Sequence, residues 1–151
     1  AGFAAAYTFE AKHPVYDEHP KWAELDFSQV CYLEQVSQAR SFGLVAELAQ
    51  AHAINRCLGS SLANAVGIDD ARILNPEGLR YQDEFVKHKI LDAIGDLYLL
   101  GRPIIGRFSG YKSGHALNTK LARALLRCED AWEVVTPQGV SADQVAELQA
   151  S

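Results

Sequence analysis

Apolar positions alternate with smaller or more polar ones over residues 3–10 and again over 23–27, the period-2 signature of half-buried strands. The polar, proline-bearing stretch 13–21 between them predicts a long hairpin loop. Ser28 stands at the N-cap position of a short helix running to about Arg40; Ser41-Phe42-Gly43 then breaks the pattern as a candidate site loop, and a second helical run covers 44–53. Glycine, serine and scattered β-branched residues over 58–75 predict short strands closed by a turn at Asn75-Pro76-Glu77-Gly78. The longest helical pattern spans 82–100, with Val86, Ile90, Ile94 and Leu97 on one face and Gly101-Arg102-Pro103 as its stop. There follow a strand over 104–111, a helix capped by Ser113 whose Leu117, Leu121, Ala124 and Leu125 form the buried stripe, and a last strand over 132–136; the tail after Pro137 frays. No repeat, low-complexity tract or linker divides the chain. Strands grouped with helices on one face predict one α+β domain over residues 1–151, a two-layer sandwich of a β-sheet packed on helices.

Composition narrows the function classes. With 151 residues, 48% of them hydrophobic, the chain can bury a core; with a net charge of -5 it carries no general basic field, which argues against nucleic acid as a partner. A small anionic substrate stays open, because a few lysines act within a Debye length of about 8–10 Å. Cys31, Cys57 and Cys128 are an odd number without a CxxC pair, which speaks against a disulfide framework or a cysteine zinc site and for a reducing cytoplasm. No stretch approaches the roughly 18–20 apolar residues of an integral membrane segment, and the opening lacks the basic region of a signal peptide. The absence of methionine and a start inside a strand predict a piece of a longer protein.

Two constellations carry candidate chemistry. His88, Asp92 and Asp96 stand four apart on the longest helix and therefore share a face, nearly opposite Val86, Ile90, Ile94 and Leu97. A histidine and an aspartate one turn apart suit two of the three protein ligands of an open catalytic zinc site; the bland reading is a solvated helix face. The second is Gly110-Tyr111-Lys112-Ser113-Gly114-His115-Ala116-Leu117-Asn118, at a strand-to-helix junction where rigid flanks can aim functional groups. Its bland reading is a capped helix start with turn glycines, with Lys112 and Lys89 as surface charges.

Together these stretches closely resemble the UDP-3-O-acyl-N-acetylglucosamine deacetylase family of lipid A biosynthesis. The resemblance rests on His88-Lys89-Ile90-Leu91-Asp92-Ala93-Ile94-Gly95-Asp96 and Lys112-Ser113-Gly114-His115-Ala116-Leu117-Asn118. It continues through Leu74-Asn75, Glu77-Gly78-Leu79-Arg80, Asp83-Glu84-Phe85-Val86 and Ile104-Ile105-Gly106, and more loosely through His13-Pro14 and Ala39-Arg40-Ser41-Phe42-Gly43. It implies a two-domain enzyme with its active site between the domains, this chain matching the carboxy-terminal one and the N-terminal domain lying outside it. By that likeness His88 and Asp92 bind Zn2+, while a third ligand, a histidine, and a general-base glutamate come from the other domain. Asp96 orients His115, and His115 stabilises the oxyanion or protonates the leaving amine; the positive end of its helix opposes a protonated imidazole, which Asp96 has to offset. The substrate implied is UDP-3-O-acyl-N-acetylglucosamine.

The likeness further implies a small βαβ insert over about 41–68 that forms a tunnel for the acyl chain. Leu44, Val45, Leu48, Cys57 and Ala65 are candidates to line it or to pack the insert's own core. Lys89 and Lys112 are candidates for diphosphate or sugar contacts, the Ser41 hydroxyl for the bound acetyl or tetrahedral group, and Phe42 for substrate binding. Ser41 stands where the family usually has threonine, Ser60 where a second glycine is usual and Ala63 where aspartate is common, so contacts made by the insert are the less certain part of the likeness. Two other readings stay open: a non-catalytic binding domain that retains the fold, and a self-contained hydrolase whose third ligand is His13, His19, His52 or His115. A domain interface left exposed would also favour self-association.

Overall fold

The computed structural model describes residues 2–135. Its elements are β1 (Phe3–Thr8), α1 (Pro14–Asp17), β2 (Trp22–Asp26), α2 (Tyr32–Gln35), β3 (Ser41–Leu44), α3 (Val45–Ala53), β4 (Ala65–Ile68), α4 (Glu84–Tyr98), β5 (Gly106–Tyr111) and α5 (His115–Arg127), followed by a 3-10 turn at Glu129–Ala131. A mixed sheet in the order β2-β1-β5 has β1 at its centre, antiparallel to β2 and parallel to β5. A second sheet is the parallel pair β3-β4, with α3 as its crossover, so 41–68 folds as a βαβ unit. The architecture is α+β, as the grouping of periodicities predicts. Among the described residues no helix is long and apolar enough to cross a membrane.

One helix organises both cores. On α4, Val86, Ile90, Ala93 and Leu97 pack against Ala5 and Tyr7 of β1, Ala23 of β2, Phe108 of β5 and Val36. The neighbouring Phe85, turned roughly 100° around the helix, enters a second cluster with Val15, Tyr16, Val66 and Ile68. Each fully buried side chain of this kind contributes about 1.5–3 kcal/mol. The two sheets are thus mounted on neighbouring faces of a single rod.

A buried ion pair ties the βαβ unit to that rod. Glu84, in the first turn of α4, has no exposed surface. Its Oε1 accepts from the Arg40 amide at 3.0 Å and from Arg40 Nε at 2.9 Å. Its Oε2 accepts from Arg40 Nη2 at 3.2 Å and from the Arg80 amide at 2.6 Å. Arg40 also donates from Nη1 to Glu77 Oε1 at 2.6 Å and from Nη2 to the Gly78 carbonyl at 2.7 Å. Burial alone would push the Glu84 carboxyl up; the donors from Arg40 and Arg80 outweigh it and hold it below the ordinary glutamate value.

Several local expectations are corrected. Ser28 caps nothing: its amide and hydroxyl bond Asp26 Oδ1 at 3.0 and 2.6 Å, and the helix expected to 40 is the single turn α2 behind Cys31. The stretch 13–21 contains the short helix α1, where His13 Nδ1 accepts from the Val15 amide at 3.3 Å. Ser113 is not the cap of α5 either; Gly114 holds that position without a side-chain bond, and Ser113 Oγ is buried without a partner among the described residues. The reason is that the Ser113 carbonyl is claimed by the Tyr7 hydroxyl, which turns the residue into the core. The stripe Leu117, Leu121 and Ala124 faces outward, Leu125 is half-buried, and α5 buries Asn118 and Ala122 instead. Residues 132–135 form no strand; Trp132 Nε1 donates to the Leu125 carbonyl at 2.8 Å and folds the chain back on α5. Thr136 and the tail after Pro137 lie outside the described residues.

Two outcomes are expected. A Cβ on Gly110 would lie 2.7 Å from Cδ2 of the buried Tyr7 ring, so Gly110→Ala should lower stability by about 1–3 kcal/mol in urea unfolding. An unchanged midpoint would mean that the ring yields. The Glu84 carboxyl is depressed on folding, so its contribution is present above its unfolded value of about 4.3 and is lost as pH falls through the lower folded value. Unfolding midpoints should therefore fall between about pH 5 and pH 3, and less steeply once Glu84 and Arg40 are both made apolar.

Candidate functional site

The fourfold spacing on α4 places Glu84, His88, Asp92 and Asp96 in one ladder along the helix. The last three are far from solvated: their side chains are 17%, 15% and 12% exposed. What covers them comes from two directions. β3 brings Ser41 and Phe42, with the Phe42 ring 5.9 Å from the His88 ring, and the turn after β5 brings His115. That turn depends on Lys112, which takes a left-handed φ of 48° while its amide donates to the Thr8 carbonyl at 2.9 Å. The chain reverses there, and α5 starts with His115 against Asp96.

The result is a cleft of about 400 Å³ lined by Phe9, Ser41, Phe42, His88, Lys89, Asp92 and His115. Behind it the rings of Phe9, Tyr16, Phe42 and Phe85 pack edge to face at 4.9–5.7 Å. Burial among them, with a lesser effect from Glu47, pushes the Tyr16 hydroxyl up to about 12. Phe9 is a cleft residue that the sequence does not single out, because an aromatic just past a strand end carries no signal that distinguishes it from a core residue.

The hydrogen bonds assign the protons. His88 Nδ1 faces the Ala39 carbonyl at 3.0 Å, and because a carbonyl only accepts, Nδ1 carries the ring proton. Nε2 faces Asp92 Oδ1 at 3.3 Å; if Nε2 is unprotonated, its lone pair meets that of the carboxylate. Two acceptors at that separation repel unless a cation lies between them, either a proton on Nε2 or a metal ion. Lys89 Nζ holds the other Asp92 oxygen at 2.9 Å. One turn on, Asp96 accepts from His115 Nδ1 at 2.9 Å and from Asn118 Nδ2 at 2.9 Å, which leaves His115 Nε2 pointing back to Asp92 Oδ1 at 4.0 Å. His88, Asp92, Asp96 and His115 therefore form one continuous array, although the two motifs that supply them are separated by a strand.

The remaining candidates fall elsewhere. Lys112 is exposed, with Nζ 4.0 Å from Glu10 Oε2. Leu44 packs half-buried on the second core, Leu48 is half-buried on α3, and Cys57 is exposed, its carbonyl 2.9 Å from His52 Nε2; none of these lines the cleft. Of the other histidines, His13 caps α1, His19 packs on Phe85 and His52 stays with Cys57. Among the described residues no three histidine, cysteine or acidic side chains converge closely enough to hold a metal ion. A larger apolar groove of about 520 Å³, bordered by Phe3, Leu97, Leu121 and Trp132, holds none of the ladder residues.

Comparison with known proteins adds a name to this arrangement. The sequence profile of the UDP-3-O-acyl N-acetylglycosamine deacetylase family matches residues 1–127. The chain is similar to proteins named UDP-3-O-acyl-N-acetylglucosamine deacetylase from Nitrosococcus oceani, 52% identical over 135 residues, and Chromohalobacter salexigens, 53% identical over 135 residues. These alignments cover 89% of this chain and 44% and 45% of the two relatives, so the chain spans less than half the length of the curated relatives it matches.

The Asp96 pair with Asn118 can be tested apart from any reaction. Asn118 is 2% exposed, and Asn118→Ala removes a donor from a carboxylate that has few others. A loss of about 1.5–3 kcal/mol in chemical denaturation is expected. A loss below half that would mean that solvent replaces the amide and that Asp96 is wetter than its geometry implies.

Proposed function

The chain belongs to the UDP-3-O-acyl N-acetylglycosamine deacetylase family, and from that premise we propose that it supplies one wall of a zinc amidohydrolase site. The reaction is removal of the N-acetyl group from UDP-3-O-acyl-N-acetylglucosamine in lipid A biosynthesis, in the cytoplasm. The observation that carries this reading is the facing of His88 Nε2 and Asp92 Oδ1 at 3.3 Å, a pair that takes either a proton or a metal ion between its atoms. An imidazole whose other nitrogen donates to a backbone carbonyl, beside a carboxylate, is the donor set that zinc takes. When bound, the zinc supplies Lewis acidity, polarising the acetyl carbonyl and bringing a water to nucleophilic strength near neutral pH.

The chain's own residues do the rest. His88 and Asp92 hold the metal, with Lys89 fixing the outer oxygen of Asp92. Asp96 keeps His115 in the tautomer that presents Nε2 to the cleft. From that position His115, when protonated, offsets the charge of the tetrahedral oxygen and gives its proton to the departing amine. Ser41 offers a hydroxyl at the cleft wall to the reacting group, and Phe42 excludes water beside it. Lys112 and the βαβ unit, with Leu44, Leu48 and Cys57, are assigned to the nucleotide and acyl ends of the substrate, beyond the cleft itself.

Two ligands do not complete a zinc site, and the third ligand and the general base are assigned to the portion of the relatives that this chain does not match. That portion would cover the outward face of α5, where Leu117 and Leu121 are 55% and 41% exposed; without it the chain is inactive, and two copies pair through the same face.

Calorimetric titration of the chain with zinc at neutral pH, beside His88→Ala and Asp92→Asn, tests the assignment. Weak binding that disappears in both variants is the expected outcome. Binding that ignores both substitutions would remove His88 and Asp92 from the metal site, and tight binding would mean that the chain itself holds a third ligand.

A further inference from the structure

The peptide unit joining Ala39 to Arg40 is held at both ends by α4. Its carbonyl accepts from His88 Nδ1 at 3.0 Å, and its amide donates to Glu84 Oε1 at 3.0 Å. Glu84 and His88 are four residues, just over one helical turn, apart, about 6 Å along the axis. The C=O and N–H of a trans peptide point in opposite directions. A single peptide therefore spans the turn like a rung, with a carboxylate at one end and the ring at the other.

This arrangement fixes more than position. A peptide whose N–H is donated to a buried carboxylate is polarised, and its carbonyl becomes the stronger acceptor. In many metal sites a carboxylate takes the outer N–H of a ligating histidine directly, which orients the ring and raises its basicity. We propose that Glu84 is a positioning residue for His88, acting through the 39–40 peptide as a relayed form of that carboxylate–histidine contact. Its functional meaning rests on the reading of His88 as a metal ligand, but its geometry does not.

The remaining bonds of Glu84 suit this role. The Arg80 amide and the Arg40 guanidinium occupy its other lone pairs, so the carboxylate cannot swing away from the Arg40 amide without leaving buried donors unpaired. The same peptide leads directly into Ser41 and Phe42, so whatever holds it also sets the β3 wall of the cleft. Glu77, which meets Arg40 Nη1 and the Asn75 amide, makes no bond to the 39–40 peptide among the described residues.

The test uses nitrogen-15 NMR of the His88 ring and zinc calorimetry on the full chain. In the unmodified chain without metal, at a pH where the nitrogen-15 shifts show the ring to be neutral, its proton should sit on Nδ1, and a coupling across the hydrogen bond should link the Arg40 amide nitrogen to the Glu84 carboxyl carbon. A proton found on Nε2 alone, or no such coupling, overturns the proposal whatever the variants do. The paired variant Arg40→Leu with Glu84→Leu removes the relay without stranding a buried charge. It should show both His88 tautomers and zinc binding weaker by about 10–100-fold, whereas Glu77→Gln should keep the unmodified ring spectrum. A folded paired variant with the unmodified tautomer overturns the relay. Mixed tautomers with unchanged zinc affinity would uphold the relay and sink the metal assignment of His88.

Discussion

A carboxylate removed from water persists only where its lone pairs are met, and Glu84 meets its own with donors from residues 40 and 80. Breaking one side of such a pair costs about 3–5 kcal/mol, because it strands the partner charge. That cost is what keeps the end of α2's connection, the start of β3 and the turn around Gly78 fastened to the first turn of α4. The βαβ unit also meets the rest of the fold through the smaller aromatic and aliphatic cluster and through Asn75, whose side chain bonds Gly67, Leu62 and Ala65; the Glu84 fastening adds a fixed link from the β3 wall to the helix that carries His88.

The helix α4 divides its circumference among three tasks. One face packs the main sheet, a neighbouring face packs the βαβ unit through Phe85, and the remaining stripe carries the titratable ladder. Close packing on two sides leaves the rod no freedom to roll, which turns a sequence spacing of four into fixed distances between side chains. The parallel alignment of β5 with β1 does the same for His115. Tyr7 anchors Ser113, Lys112 bends the chain and Asp96 receives the imidazole, so the second motif arrives on the first with a single orientation.

The deviations from expectation share a cause. Ser28 and Ser113 are good caps by local chemistry, yet both are engaged elsewhere, Ser28 by Asp26 and Ser113 by burial under Tyr7. Leu117 and Leu121 have the spacing of a buried stripe, yet they face outward, while Asn118 is buried because Asp96 needs its amide. Periodicity reports that a helix has an apolar face; it does not report which partner covers that face.

Local order follows from neighbours a few residues away. The strands of the main sheet, the course of α4, the shared face of His88, Asp92 and Asp96, and the turn-flanked motif around His115 all follow from periods of two and of 3.6 residues. The resemblance carried by those motifs also settled the family. Which distant groups meet depends instead on how the whole chain packs. The Ala39 carbonyl on His88 and the Arg40–Glu84 pair join residues 49 and 44 positions apart, and Asp96 reaches His115 across an entire strand. Such contacts are chosen by how the two cores close around α4, and no local period encodes that choice.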